Sequence, residues 1–150
     1  MVKRYYPYED FLADTKMLAQ KIDWKFDAII AIARGGLSLA QFLGEYYNIR
    51  NVYSINTIGY ENTEKLESVK VFNIPELKDA NTVLVVDDIV DSGDTLVEVL
   101  KRLGQIYPNI RFKTATLFYK KSAKIVPDWY AQEADAWIEF FWTVDMKRKR

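Results

Sequence analysis

An α/β fold on a mainly parallel sheet follows from three features of the 150-residue sequence. Two short, wholly apolar runs, AIIAIA at 28–33 and VLVV at 83–86, have the length and β-branched content of strands buried on both faces. Each is followed within a few residues by a glycine-bearing turn. A helical apolar pattern follows each turn in its place. Strands alternating with helices build parallel sheets with right-handed crossovers. Ligands in such sheets bind at the carboxyl ends of the strands, beside the switch in strand order.

The elements are justified in chain order. Residues 8–22 place Tyr8, Phe11, Leu12, Thr15, Leu18, Ala19 and Ile22 at helical spacing, with Pro7 just ahead, where its missing N–H does no harm. After the 28–33 strand, Arg34-Gly35-Gly36 leads into a helix over 37–47 with an apolar face of Leu39, Ala40, Phe42, Leu43, Tyr46 and Tyr47. Residues 52–57 alternate like a strand. The stretch IGYENTEKLESVK at 58–70 is polar and aperiodic, which predicts a long mobile loop of the lid type, closed by a short strand over 69–74. The VLVV strand runs straight into Asp87 and Asp88. A helix over 95–106 carries Leu96, Leu100 and Leu103 on one side, and RFKTATLFY at 111–119 alternates as a strand. Residues 122–145 are mixed and rich in aromatics, and the basic stretch 147–150 reads as a solvated, frayed tail. Nothing suggests an internal repeat, a linker or a second domain. The expectation is one domain over 1–150, long enough to bury a core without staples.

Composition narrows the chemistry. With no cysteine and no histidine, the chain has no disulfide framework, thiolate zinc site, cysteine nucleophile or histidine-based triad. Any metal is then held by oxygen, as a hard ion such as Mg²⁺. Any proton transfer uses carboxylate, Lys, Tyr or water. Twenty-one basic residues balance 21 acidic ones, so no global field argues for nucleic acid. No apolar run reaches membrane-span length, and the N-terminus lacks the apolar segment of a signal peptide. Absence of cysteine is compatible with the cytoplasm, the expected location. The aromatic excess of 4 Trp, 10 Tyr and 8 Phe fits a core plus a subunit interface, hence a homodimer or homotetramer.

The most informative segment is VLVVDDIVDSGDTL at 83–96. Adjacent carboxylates at a strand's end can take two neighbouring sugar hydroxyls, directly or through a hydrated Mg²⁺. Asp91-Ser92-Gly93-Asp94-Thr95 then opens a helix, aiming backbone N–H groups and two hydroxyls outward as an anion site suited to a phosphate monoester. Gly93 permits the tight turn. A diol site beside a phosphate site describes a 5-phosphoribosyl group. Asp and Ser as plain helix caps would explain any one of these residues but not the whole string.

These residues resemble the phosphoribosyl diphosphate (PRPP) signature of the type I phosphoribosyltransferases. The resemblance extends along nearly the whole chain: IIAIARGGLSLAQFLG is similar to the family's diphosphate loop, and TLFYKKSA and WIEFFW resemble the 6-oxopurine branch. It implies the type I fold, a Rossmann-like mainly parallel sheet flanked by helices, with a small base-binding hood from the C-terminal segment at about 120–145 and the lid at about 58–70. It implies a purine salvage enzyme that joins the 5-phosphoribosyl group of PRPP to N9 of guanine, xanthine or hypoxanthine. The products are the nucleoside monophosphate and diphosphate.

By the same resemblance, PRPP is bound by Arg34, Gly35, Asp87, Asp88, Ile89, Val90, Asp91, Ser92, Gly93, Asp94 and Thr95. Asp88 and Asp87 lie on the metal side. A non-proline cis peptide is implied near Arg34, with Gly35 easing the geometry. Either Lys65 or Lys70 reaches the diphosphate from the lid. Either Lys120 or Lys121 contacts the purine O6, while Trp137 and Ile138 pack on the base. Asp91, the best-placed carboxylate in a chain without histidine, handles the proton at N7. Two residues depart from the family pattern. Asp94 stands where Gly or Lys is more usual, so only its N–H is expected on the phosphate. Phe141 stands where Pro commonly precedes the Trp. The alternatives are another base (orotate, uracil or adenine) or a non-catalytic regulator that keeps the fold.

Overall fold

The computed structural model describes residues 2–61 and 67–148. Its centre is a six-stranded sheet in the order β4-β3-β2-β5-β6-β7. The strands are β2 (Ala28–Ala33), β3 (Val52–Glu61), β4 (Glu67–Phe72), β5 (Thr82–Val90), β6 (Arg111–Tyr119) and β7 (Trp129–Glu133). Every neighbouring pair is parallel except β3 with β4. A two-stranded parallel sheet pairs β1 (Lys3–Tyr6) with β8 (Trp137–Phe140). The helices are α1 (Tyr8–Lys21), α2 (Leu37–Tyr47), α3 (Asp94–Ile106) and the short α4 (Phe141–Val144).

Strand alternation sorts the core into two layers. In β2, Ile29 and Ala31 face one cluster with Phe11 and Leu18 of α1 and Leu39 and Leu43 of α2. The intervening Ala28, Ile30 and Ile32 face the other, with Leu96, Val99 and Leu103 of α3. β5 repeats this division, with Leu84 and Val86 on one face and Val83 and Val85 on the other. Both faces of the central strands are therefore covered, which is why they read as continuous apolar runs.

The chain leaves β2 toward β3 and returns to β5 on the other side of β2. The switch in strand order thus falls between β2 and β5, and the segments that follow these two strands meet there.

Four sequence expectations change. The two aspartates lie within β5, not beyond its end: pairing with β6 continues through Asp87↔Thr116 to Val90↔Tyr119. Pairing with β2 stops at Val86. The segment Asp87–Val90 is thus a strand with one side released by the departure of β2, which a reading of apolar length alone misses. Next, most of the 58–70 stretch is an antiparallel ladder, from Asn56↔Phe72 to Glu61↔Glu67, rather than an open loop. Backbone pairing needs no apolar alternation where side chains such as Ile58 and Lys70 are exposed. Third, the 120–145 segment is not one hood: β7 joins the main sheet beside β6, while β8 takes the N-terminal β1 as its partner. Finally, Lys147 is not simply frayed tail, since its N–H donates to Val144 O at 3.3 Å and it lines a cavity described below.

An aromatic and polar network seats the small sheet on the body. Tyr6 is fully buried, edge-on to Phe118 at 4.9 Å and to Phe140 at 5.7 Å. Its hydroxyl donates to Asp14 Oδ2 at 2.6 Å, and Gln132 of β7 donates to the same oxygen at 2.6 Å. Burial and this carboxylate both push the Tyr6 phenol far above its ordinary value. Phe141 packs on Tyr8 and Phe11 of α1 (5.8 Å each) rather than lining the cavity.

Candidate active site

The first cluster sits at the switch point. The peptide between Ala33 and Arg34 is cis, and Arg34 is exposed beyond the end of β2. Gly35 has a packing reason: a Cβ there would stand 2.4 Å from Asp88 Oδ2. The loop after β2 and the carboxylates of β5 are therefore in direct contact. Asp88 N–H donates to Asp87 Oδ1 at 2.8 Å and Ile89 N–H to Asp88 Oδ1 at 2.7 Å. Burial pushes the Asp87 carboxyl well above its ordinary value, and the neighbouring Asp88 charge pushes it further. Burial also raises Asp88. Two hard oxygen donors, crowded and desolvated, gain from a cation. Among the described residues no group of three or more acidic side chains could hold one alone. Such a donor set fits Mg²⁺, which keeps several waters and uses one or two carboxylates plus substrate oxygens.

The second cluster is the β5–α3 loop. Gly93 has φ +92°, a left-handed conformation, and a Cβ would meet Lys124 N and Ile125 Cγ2 at 3.1 Å. No side chain caps α3 at Gly93; Ser92 Oγ instead accepts from Asp94 N–H at 3.2 Å. The start of α3 thus lies uncapped beside the exposed Asp91 and Ser92, although the Asp94 N–H, expected on the phosphate, is taken up by Ser92 Oγ here. Asp94 is drawn below its ordinary value by the ammonium of Lys124, 2.5 Å away. Val90, in contrast, is buried in the α3-side core, so only its backbone is near the loop.

The third cluster is a cavity of about 310 Å³ beneath β8, reached by Ile89, Asp91, Lys120, Trp137, Ile138 and Phe140. Lys120 Nζ lies 2.8 Å from Asp91 Oδ1, so the cavity presents a cation and a carboxylate side by side. Lys121 pairs instead with Glu133 at 3.6 Å and does not line this cavity. Trp137 is half exposed, whereas Ile138 is buried. Lys70 lies in β4 opposite Ile58, and Lys65 lies outside the described residues.

Sequence reasoning missed Glu139, Thr143 and Lys147 in this cavity. No local sequence signal joins these three, since Glu139 lies on β8, Thr143 in α4 and Lys147 beyond the end of α4. It also missed Lys124, which lies between two segments that were read separately.

Comparisons with known proteins bear on the family and the fold. A xanthine-guanine phosphoribosyltransferase of Cereibacter sphaeroides is 33% identical over 147 residues, covering 89% of this chain and 83% of that protein. The solved Helicobacter pylori xanthine-guanine-hypoxanthine phosphoribosyltransferase has a TM-score of 0.90 at 42% identity, covering 97% of this chain and 96% of that one. A hypothetical protein from Neisseria gonorrhoeae, solved with bound ppGpp, has a TM-score of 0.79 at 32% identity, covering 95% and 89%. The family model of the phosphoribosyl transferase domain matches residues 3–149, and the chain belongs to that family.

Proposed function

We propose that this enzyme carries out PRPP-dependent purine salvage, transferring the 5-phosphoribosyl group from PRPP to N9 of a 6-oxopurine. The observation that carries this reading is the Lys120–Asp91 pair, 2.8 Å apart in one cavity with Trp137. O6 and N7 are neighbours on one edge of guanine, xanthine and hypoxanthine. An ammonium donates to O6 while a carboxylate accepts from N7–H, so the pair matches that edge in both position and polarity. Adenine presents an amino donor where O6 would be, and faces the Lys120 donor unfavourably. Two relatives support a 6-oxopurine by name, and the ligand of the Neisseria protein carries guanine.

In this reading the Ser92–Thr95 amides hold the 5-phosphate, Asp87 and Asp88 hold the ribose hydroxyls, and Arg34 with the Gly35 amide takes the diphosphate. Lys65 or Lys70 adds a cation to the diphosphate. Asp88 and Asp87 would hold Mg²⁺, which would supply charge neutralisation to the diphosphate leaving group. The base stacks on Trp137 and is held against Ile138. As the C1–O bond to diphosphate breaks, N9 bonds to C1 through an oxocarbenium-like transition state. Asp91 takes the N7 proton, so the nucleotide leaves neutral at that atom. No covalent intermediate is needed; positioning and electrostatics do the work. Exposed apolar side chains such as Leu37, Tyr46 and Val52 support a homo-oligomer, and the lack of cysteine is compatible with a cytoplasmic location.

The test is a steady-state assay with PRPP and Mg²⁺ against guanine, xanthine, hypoxanthine, adenine, orotate and uracil. Turnover confined to the 6-oxopurines is expected. Turnover of none of the three overturns the reading.

A further inference from the structure

Asp94 puts a carboxylate on the first residue of α3, beside amides that suit a phosphate dianion. Like charges there repel, so something must offset it. The structure supplies Lys124. Its Nζ lies 2.5 Å from Asp94 Oδ1, and its backbone N–H donates to Ser92 O at 2.9 Å. Two further bonds hold the same segment: Lys120 N–H to Val90 O and Ala123 N–H to Lys120 O, both 3.0 Å. The stretch after β6 therefore lies along the β5–α3 loop, meeting it at Gly93, where a side chain would strike Lys124 N and Ile125.

We propose that Lys124 is a positioning residue for PRPP: it neutralises Asp94 and holds that carboxylate aside, leaving the Ser92–Thr95 amides to the 5-phosphate. This rests on the reading of the loop as the 5-phosphate site. The side chains of Lys124 and Asp94 are 67% and 30% exposed, and exposed pairs add little to folding stability. Removing the pair is thus expected to leave folding largely intact, so that an effect on PRPP binding reports its charge. The Lys124 contact holds the Asp94 carboxyl below its ordinary value, as expected for such a pair.

The experiment measures PRPP binding by calorimetry, and KM and kcat, on the full chain with Mg²⁺. Lys124→Met raises the Kd and KM for PRPP about tenfold, the scale of one uncompensated charge near a dianion. Its kcat stays within about twofold, the signature of lost ground-state binding. Lys124→Arg restores affinity. Asp94→Asn alone lowers the KM for PRPP, because a negative charge is removed from beside the phosphate. The double variant Asp94→Asn/Lys124→Met returns to within about threefold of wild type, because the two residues are coupled. Should the Met variant fail to fold by circular dichroism, Lys124→Gln repeats the test with a neutral polar chain. Wild-type protein that binds no PRPP overturns the phosphate-site reading and this proposal with it. Wild-type binding matched by Lys124→Met overturns the proposal alone. So does a loss that persists undiminished in the double variant, because Lys124 would then act on the phosphate itself and not through Asp94.

Discussion

The β5–α3 loop and the cavity beneath β8 face one another across Asp91, and they are built from different materials. The loop works through backbone, with a left-handed Gly93 and a helix start with no side-chain cap, next to aspartates of β5 fixed by bonds to adjacent amides. The cavity works through side chains from distant parts of the chain: Lys120 at the end of β6, Trp137 on β8, Lys147 beyond α4. Amides can hold a phosphate that every substrate shares. Discrimination between bases needs groups that differ in charge and donor pattern, and those can vary while the loop stays the same. Asp91 belongs to both regions, because it follows β5 directly and pairs with Lys120 in the cavity.

The largest expected effect tests that shared position. Asp91→Asn keeps the side chain's size and removes its capacity to accept a proton. Turnover should fall by roughly 10²–10⁴-fold, the range for loss of a positioned general base. PRPP affinity, measured separately by calorimetry, should change little. A loss of affinity as large as the loss of rate would assign Asp91 to the phosphate side alone.

Trp137→Ala separates the two regions more sharply. Removing a stacking face costs about 1–3 kcal/mol per base, or about 5- to 150-fold. The KM for guanine, xanthine and hypoxanthine should rise together, since stacking does not read substituents, while the KM for PRPP stays put. An equal rise for PRPP would mean that cavity and loop act as one unit.

The same contrast explains what could be read from sequence. The string at 83–96 is local: apolar run, paired acids, glycine turn and helix follow one another, so chain order mirrors spatial order. The alternation of β2 and β5 with helices was equally local, and so was the switch point. The small sheet was not. KRYY at 3–6 is too short and polar to announce a strand, and it forms one only because residues 137–140 lie beside it. Lys124 escaped for a similar reason, since its partner Asp94 lies in another segment and only the tertiary fold brings them together. β5 was cut short because Asp87 and Asp88 ended the apolar run, although the backbone ladder to β6 does not depend on side-chain polarity.

A smaller effect is expected where the small sheet is anchored. Tyr6→Phe keeps the buried ring but removes the hydroxyl bond to Asp14, while Gln132 still reaches the carboxylate. The loss should be on the order of 1–3 kcal/mol, the cost of a buried hydrogen bond to a charged group. For a chain of this size that lowers Tm by about 2–4 °C per kcal/mol. Because Tyr6 pairs with Phe140 in the sheet that carries Trp137, the KM for base should rise severalfold and that for PRPP should not. Equal changes in both would show general loosening, not displacement of the cavity wall.

The last comparison uses pH on the metal-free protein and concerns the phosphate side. Burial, then the Asp88 charge, raises the Asp87 carboxyl well above its ordinary value of 3.8. In the unfolded chain it ionises near that ordinary value. Over the interval between the two, the folded protein binds a proton that the unfolded chain has released. Stability then falls as pH rises, and the fall ends once the folded carboxyl has ionised. Asp87→Asn removes this contribution but leaves that of Asp88, which burial also raises. Melting curves in chelator should therefore show a wild-type Tm that declines with pH from about 4 upward, the acidic end of the linkage window. The variant should decline less steeply. Parallel curves for the two proteins would mean that Asp87 is not held protonated, and that the carboxylates of β5 do not need a cation to relieve their crowding.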